Sequence, residues 1–377
     1  MLDQNIIEQL EALVGKENVL TGKVDLVAYS YDATADLPRQ MPDVVVLPTS
    51  AEMVQEIVRL ARRNKIAIYP RGAGTNLSGG TVPLKKGIVL SFQKMNAIRE
   101  VDAANLTAVV QPGVVIAALN SAVAQHGLIY PPDPGTVATA TMGGSAAENS
   151  GGLRGLKYGV TKNYVMGMEV VLASGEKVRF GGKTVKNVTA YDFSNLFVGS
   201  EGTLGVVTRI ILRLLPKPEA RKTMLVAFAS IDGSAQAVSA IIRGKIIPAT
   251  LEFMDGSAID CVRKAAPLDL PLDCRAALII EVDGDREVLD GQIDRILSII
   301  QPLGVLETRV AATDEESEAI WKVRRSVSPS LRNLNPNKFN EDIVTPRSRV
   351  PEMIRALEAV SSRYGVPIVN FGHAGDG

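Results

Sequence analysis

The chain has 377 residues, 46% of them hydrophobic and 22% charged, enough for two or more domains with cores of their own. Its 41 Lys and Arg balance 41 Asp and Glu, so it carries neither a basic nucleic-acid footprint nor a charged tail. No run of 18 apolar residues occurs, which argues against a transmembrane helix, and two cysteines, Cys261 and Cys274, are too few for a disulfide framework or an iron–sulfur cluster.

In chain order, MLDQNIIEQLEALVG has the period of an amphipathic helix and contains acids, unlike a cationic signal peptide, which predicts a cytoplasmic protein. An irregular segment, DLVAYSYDATADLP, follows. PDVVVLP reads as a short buried strand between prolines, and Thr49-Ser50 caps an amphipathic helix over MVQEIVRLARRN. IAIYP enters a glycine loop. GIVLSF, TAVVQPGV and VMGMEVVLASGEKVRF predict further strands, the last with a hairpin turn at Ser174-Gly175. After Pro216 the pattern changes. MLVAFAS, ATLEFMD and AALIIEVDG read as strands, while AQAVSAIIRG, REVLDGQIDRILSIIQPLG and DEESEAIWKVRRSV read as helices. This predicts an α+β chain: an N-terminal helical segment over 1–38, one domain over 39–217 and a second over 218–377. VPIVNFGHAGDG runs into a glycine loop and stops. Such a loop normally leads into another element, so the second domain is expected to be incomplete.

Glycine is the informative residue. Of 33, 21 lie between Gly72 and Gly205, in short clusters joined by apolar runs rather than in a collagen period or a linker. The first cluster is PRGAGTNLSGG (70–80). Successive small residues let several backbone N–H groups converge on phosphate oxygens, although glycines alone also fit a structural turn. It is not a P-loop, because no Gly-Lys-Ser/Thr follows, and Leu77 stands where a dinucleotide-fold fingerprint needs its third glycine. The second cluster, PPDPGTVATATMGG, runs on to Gly152. The third, VGSEGTLG (198–205), precedes VVTRIILRLLP. Three loops that mix glycine with Ser, Thr and Asn exceed what turns require, and predict a large polar ligand bearing phosphate.

PRGAGTNLSGG, ATMGGSAAENSGGLRGLKYG and FVGSEGTLGVVTRI, in this order and spacing, resemble the PCMH-type FAD-binding domain of the vanillyl-alcohol oxidase superfamily, in its glycolate oxidase and D-lactate dehydrogenase branch. The resemblance runs from about residue 40 to the end. It implies two α+β subdomains around FAD, followed by a substrate (cap) domain. Carried over, the first loop would hold the pyrophosphate through Pro70, Arg71, Gly72, Ala73, Gly74, Thr75, Asn76 and Ser78. The second would line the cofactor with Pro134, Gly135, Thr136, Thr139, Thr141, Gly143, Gly144, Asn149, Gly151 and Gly152. Glu201, Gly202, Gly205 and Val207 would close the other side. Relatives that tether FAD often carry His where this chain has Thr75, which implies noncovalent FAD. His126, the other histidine, follows a helix, where the dipole favours it without any catalytic role.

A 2-hydroxy acid dehydrogenase needs a cation for the carboxylate and a base or metal for the hydroxyl proton. Arg324 and Ser328 stand four apart on one predicted helix face. The arginine suits a carboxylate, although its surroundings also fit a solvated basic face. The resemblance assigns substrate binding to Arg324 in a Trp-x-x-Arg helix and matches a lysine to Lys338. The family's Gly-His-x-Gly-Asp-Gly-Asn-x-His matches residues 372–377 at its first six positions, so His373 is the candidate acid/base residue. In some relatives the two histidines and a later Glu bind a divalent metal. His373 would be this chain's ligand, the others lying past residue 377, and one His makes no such site.

The implied activity is oxidation of glycolate or D-lactate, with electrons passing to an iron–sulfur subunit, an electron-transferring flavoprotein or a quinone-linked acceptor. Peripheral membrane attachment through a partner and a homo-oligomer are compatible with it. Two other readings stay open at this point: a non-catalytic flavin-binding subunit of a glycolate oxidase-type complex, and a FAD transferase like alkyl-dihydroxyacetone-phosphate synthase.

Overall fold

The computed structural model describes residues 2–34, 37–265, 270–335 and 338–377. It divides into two compact units, residues 1–151 with 160–217, and residues 152–159 with 218–377. The short segment 152–159, expected with the glycine-rich region, packs with the second unit instead. There Lys157 pairs with Asp283, and the Tyr158 hydroxyl donates to Asp283 Oδ2 at 2.7 Å.

Unit 1 contains two larger sheets and a two-stranded ribbon. The first sheet joins β1 (Val19–Leu20), β2 (Val44–Val46), β3 (Ile68–Arg71) and β4 (Ile88–Ser91) in the order β1-β2-β4-β3. β2, β4 and β3 run parallel, and β1 is antiparallel to β2. Parallel strands need a crossover, supplied between β2 and β3 by the helix Ala51–Arg63. Ser50 starts that helix by accepting from Met53 N at 3.2 Å. Its apolar stripe, Val54, Ile57, Val58 and Ala61, is buried in a core with Val44, Val46, Ile88, Leu90 and, from the helix Gln4–Val14, Leu10.

The second sheet of unit 1 is antiparallel throughout. It contains β5 (Ile98–Asp102), β6 (Thr107–Val110), β8 (Val165–Val171), β9 (Lys177–Gly181) and β10 (Val206–Arg213), ordered β5-β6-β10-β8-β9. β7 (Leu128–Ile129) pairs separately with β11 (Leu215–Pro216). The predicted turn at Ser174-Gly175 joins β8 to β9, with Gly175 at φ +84.

Unit 2 is one antiparallel sheet of β12 (Ala220–Phe228), β13 (Thr250–Asp255), β14 (Ala276–Gly284), β15 (Val305–Val310) and β16 (Phe371–Gly372), ordered β15-β12-β14-β13-β16. Its central strands are buried on both faces, with apolar runs interrupted by Glu252 in β13 and Glu281 in β14. Met224, Val226 and Phe228 join one core with the helices Ile231–Arg243 and Arg286–Ile300. Leu225 and Ala227 join the other, with the helices Gly256–Ala265 and Asp314–Ser330. The terminal run is shorter as a strand than predicted: only Phe371 and Gly372 pair, with Met254 and Phe253 of β13. The helices Gly256–Ala265 and Val350–Tyr364 and the strand β5 were not foreseen.

Candidate functional site

In unit 1 the three glycine clusters converge. A Cβ built on Gly72 would stand 2.2 Å from Thr141 Oγ1, so the first loop approaches the second closely only because it lacks a side chain. A Cβ on Gly202 would lie 3.4 Å from Pro70 Cγ, and one on Gly80 3.5 Å from Glu201 Oε2, which brings the third loop against the first. Third and second meet through Gly199 N to Ala146 O at 2.9 Å and Glu201 N to Ala147 O at 3.0 Å. Asn149 and Glu201 both take positive φ here, 51 and 50; asparagine is common in that region at a helix end, whereas glutamate seldom adopts it.

Thr141 ends the second loop and caps the helix Met142–Glu148, accepting from Gly144 N at 3.3 Å. Gly143 N donates to Pro112 O at 2.7 Å, and a Cβ there would lie 2.6 Å from Pro112 Cβ. Gly135, Thr136 and Thr139 are exposed on a turn closed by Val137 N to Pro134 O at 2.8 Å. Gly151 ends unit 1's share of this cluster, whereas Gly152 belongs to unit 2. Gly205 directly precedes β10, and Val207 lies within it. A Cβ on Gly205 would meet Val170 Cγ1 at 2.6 Å, and Val207 pairs with Val170.

The first loop is gripped by the irregular N-terminal segment. Arg71 Nη1 donates to Tyr31 O at 2.8 Å and Thr81 Oγ1 at 3.1 Å, and its guanidinium lies over the Tyr29 ring. Asp32 accepts from Asn76 Nδ2 at 2.7 Å, Gly79 N donates to Thr34 Oγ1 at 2.8 Å, and Ala33 N donates to Gly74 O at 3.1 Å. The Arg71 side chain is therefore committed to the protein rather than offered to a ligand. Burial raises the Glu148 carboxyl, and the charges of Glu201 and Asp32 add to that rise, so the neighbourhood is acidic. A phosphate here would depend on backbone amides. Among the described residues, no backbone carbonyl accepts from the amides of Ala73, Gly74, Thr75 or Asn76. Amides without an acceptor among the described residues, on a loop whose close approaches exclude side chains, suit a pyrophosphate. Neither Ser78, exposed beside the loop, nor the exposed His126 contradicts that fit.

Unit 2 gathers the other candidates. The helix Asp314–Ser330 is capped by Thr313 Oγ1, which accepts from Glu316 N at 3.3 Å, and opens with three acids that suit the dipole. It lays Trp321 into the core, with Nε1 donating to the buried Glu281 at 3.0 Å. One turn on, Arg324 reaches Glu252 of β13 (Nε–Oε2 2.8 Å, Nη2–Oε2 2.7 Å) while its guanidinium lies over the Phe371 ring. β16 runs antiparallel to β13 with Phe253 opposite Gly372, which places His373 opposite Glu252. His373 Nδ1 lies 2.5 Å from Glu252 Oε1. Glu252 is fully buried, Arg324 12% exposed and His373 41% exposed, so the imidazole is the open end of the group. Burial would lower the His373 pKa, but the hydrogen bond and charge of Glu252 outweigh it and hold it above the ordinary value. Burial raises the nearby Asp376 carboxyl.

Arg324 and Ser328 share a helix, but Ser328 does not join Arg324. Its Oγ receives Lys338 Nζ at 2.9 Å. Glu252 was missed in the sequence. The available signal was a carboxylate between Leu251 and Phe253 in a strand with no solvent face, which requires a buried partner. Among the described residues, no group of three or more His, Cys, Asp or Glu could hold a metal ion. Cys261 and Cys274 are free and buried.

Residues 42–181 match the family described as FAD binding domain, and residues 217–377 the family described as FAD linked oxidases, C-terminal domain. The chain is 45% identical over its whole length to glycolate oxidase subunit GlcD of Bacillus subtilis, of which it covers 80%. It is 36% identical to D-lactate dehydrogenase of Archaeoglobus fulgidus over 93% of the chain and 78% of that protein. A solved alkyldihydroxyacetonephosphate synthase superposes with a TM-score of 0.78 over 97% of this chain and 76% of that one, at 19% identity, a likeness of fold. No helix among the described residues is long and apolar enough to cross a membrane. Family matches at both ends and a relative alike along the whole chain lead to one conclusion: the chain belongs to the PCMH-type FAD-linked oxidoreductases, in the branch of glycolate oxidase subunit GlcD and D-lactate dehydrogenase.

Proposed function

We propose that the chain oxidises a small 2-hydroxy acid, glycolate or D-lactate, to the 2-oxo acid. The observation that carries this reading is the meeting of Arg324 and His373 on Glu252, a carboxylate-binding cation beside an imidazole able to take a hydroxyl proton. The names of the relatives support the same substrate class. FAD, held noncovalently by the three glycine loops of unit 1 and tethered by nothing at Thr75, supplies the acceptor for the C2 hydride.

Glu252 takes the Nε–Nη2 edge of Arg324, so the substrate carboxylate is left the Nη1–Nη2 edge, still a bidentate fork. Lys338, held by Ser328, adds a second cation. His373 Nε2 receives the hydroxyl proton. Electrons leave through an iron–sulfur subunit, an electron-transferring flavoprotein or a quinone-linked acceptor. Anaerobic mixing with glycolate and D-lactate is expected to bleach the flavin absorbance. No bleaching with any 2-hydroxy acid overturns the reading. Yellow colour that stays with the acid-precipitated protein overturns the noncovalent assignment.

A further inference from the structure

The helix Asp314–Ser330 meets three strands of the unit 2 sheet through three polar side chains on one of its faces. Ser317 Oγ lies 2.7 Å from Thr223 Oγ1 of β12, Trp321 Nε1 donates to Glu281 Oε2 of β14 at 3.0 Å, and Arg324 reaches Glu252 of β13. Those strands are taken in their order across the sheet, β12-β14-β13. Thr223 stands opposite Glu281 in the register, and its hydroxyl donates to the same Glu281 Oε2 at 2.9 Å. That uses the threonine's hydrogen, so Ser317 is the donor in its contact with Thr223. Thr223, Glu281, Ser317 and Trp321 are each 6% exposed or less. Glu281 touches none of the groups assigned to the reaction, yet a buried carboxyl is costly wherever it is not hydrogen-bonded.

We propose that Glu281 is a positioning residue: with Thr223 it locks the register of the helix Asp314–Ser330 on the sheet, and so sets where Arg324 presents its open guanidinium edge to the substrate carboxylate. The effect on turnover rests on the 2-hydroxy acid reading above; the lock does not. Ridges of apolar side chains repeat along a helix, so Ile320 and Val327 alone would pack on the sheet in more than one register. Directed hydrogen bonds in a dry interface are met in one register only. The ion pair with Glu252 does not replace them, because a long arginine side chain can keep its partner while the helix beneath it shifts. Trp321 stands one turn before Arg324 on the same face, so a helix held at Trp321 holds the backbone of Arg324 as well.

The test uses the FAD-loaded chain labelled with 15N-tryptophan. Trp321 is its one tryptophan, so a single indole N–H resonance reports on the lock. That proton is expected to exchange slowly with solvent in the unaltered chain and quickly, at a shifted position, in Glu281→Leu, which leaves it no acceptor. With glycolate or D-lactate, Glu281→Leu is expected to raise KM about 10–100-fold while kcat changes less and the flavin-to-protein ratio stays the same. Glu281→Gln keeps a carbonyl oxygen able to accept from both Trp321 and Thr223, so it should restore the slow indole proton and most of the KM. If Glu281→Leu does not fold, Trp321→Phe removes the donor from the other side and should raise KM in the same way. An indole proton that exchanges freely in the unaltered chain overturns the proposal. So does an unchanged KM in a folded Glu281→Leu or, failing that, in Trp321→Phe, or a Glu281→Gln no better than Glu281→Leu. If no 2-hydroxy acid reduces the flavin of the unaltered chain, the functional reading fails. The lock is then judged by amide exchange across residues 314–330, which Glu281→Leu should speed and Glu281→Gln leave unchanged; equal exchange in all three overturns it.

Discussion

The two units assemble their functional groups by opposite means. Unit 1 works with backbone: loops that approach within a side chain's width, amides without an acceptor among the described residues, and glycine where a Cβ would collide. Unit 2 works with side chains in register: a carboxylate on one strand, an imidazole just past the end of the neighbouring strand, and a guanidinium from the helix covering that face. The first kind of site tolerates changes of side chain but not of volume. The second tolerates small changes of volume but not the loss of a single charge. Substitutions can therefore be chosen to separate them.

The largest effect is expected at Arg324. Removing one partner of a buried ion pair leaves the other charge in a low dielectric, which costs about 3–5 kcal/mol. Glu252 has no exposure through which water could replace the guanidinium. Arg324→Ala should therefore lower the stability of unit 2 to urea by that amount, apart from any loss of turnover. Arg324→Lys keeps the charge without the fork and should fall between. An unfolding curve unchanged by Arg324→Ala would break the contrast, because the charge would then be dispensable.

A smaller effect, by a different mechanism, is expected in unit 1. In Gly143→Ala the new methyl meets Pro112 at 2.6 Å from its Cβ and 3.1 Å from its carbonyl oxygen, and backbone cannot move aside as a flexible side chain can. Overpacking of this kind costs about 1–3 kcal/mol, and displacing the second loop should lower the flavin-to-protein ratio of the purified chain. Gly182→Ala is the control, since it lies outside the three loops and a Cβ there has nothing within 4 Å. Equal flavin retention in the two variants would mean that volume is not what unit 1 protects.

How much of this was legible follows from the same distinction. Glycine clusters are local in sequence, so the three loops were visible before any fold was known. The strands β2, β3 and β4, though not their parallel pairing, the capped helix Ala51–Arg63 and the hairpin at Gly175 were visible for the same reason, each written in a few adjacent residues. Glu252 was not, because its meaning depends on which residue following β16 lies opposite, 121 positions away. The exposed β5, whose register shifts between Ile98 and Glu100, also escaped, since its alternation is broken. Arg71 was visible as a residue but misplaced in role. Its guanidinium turns back to Tyr31 and Thr81, a choice made by a segment that has no regular pattern to read.

That segment gives the smallest expected effect and the one most specific to unit 1. Burial alone would raise the Asp32 carboxyl, but hydrogen bonds from Thr34, Asn76 and Thr81 outweigh it and hold the carboxyl below its ordinary 3.8. A folded-state pKa lowered in this way contributes stability above the unfolded value, and that contribution is lost as the pH falls through the folded one. The docking of residues 31–34 on the first glycine loop should therefore loosen on the acid side, between about pH 5 and pH 2. Asp32→Asn removes the titrating group. Its stability should be lower than that of the unaltered chain at neutral pH and fall less steeply through the acid window, and thermal midpoints across that range test both. Parallel acid limbs for the two proteins would mean that Asp32 does not carry the dependence, and the grip on the loop would then rest on the Arg71 guanidinium and the backbone contacts at Gly74 and Gly79.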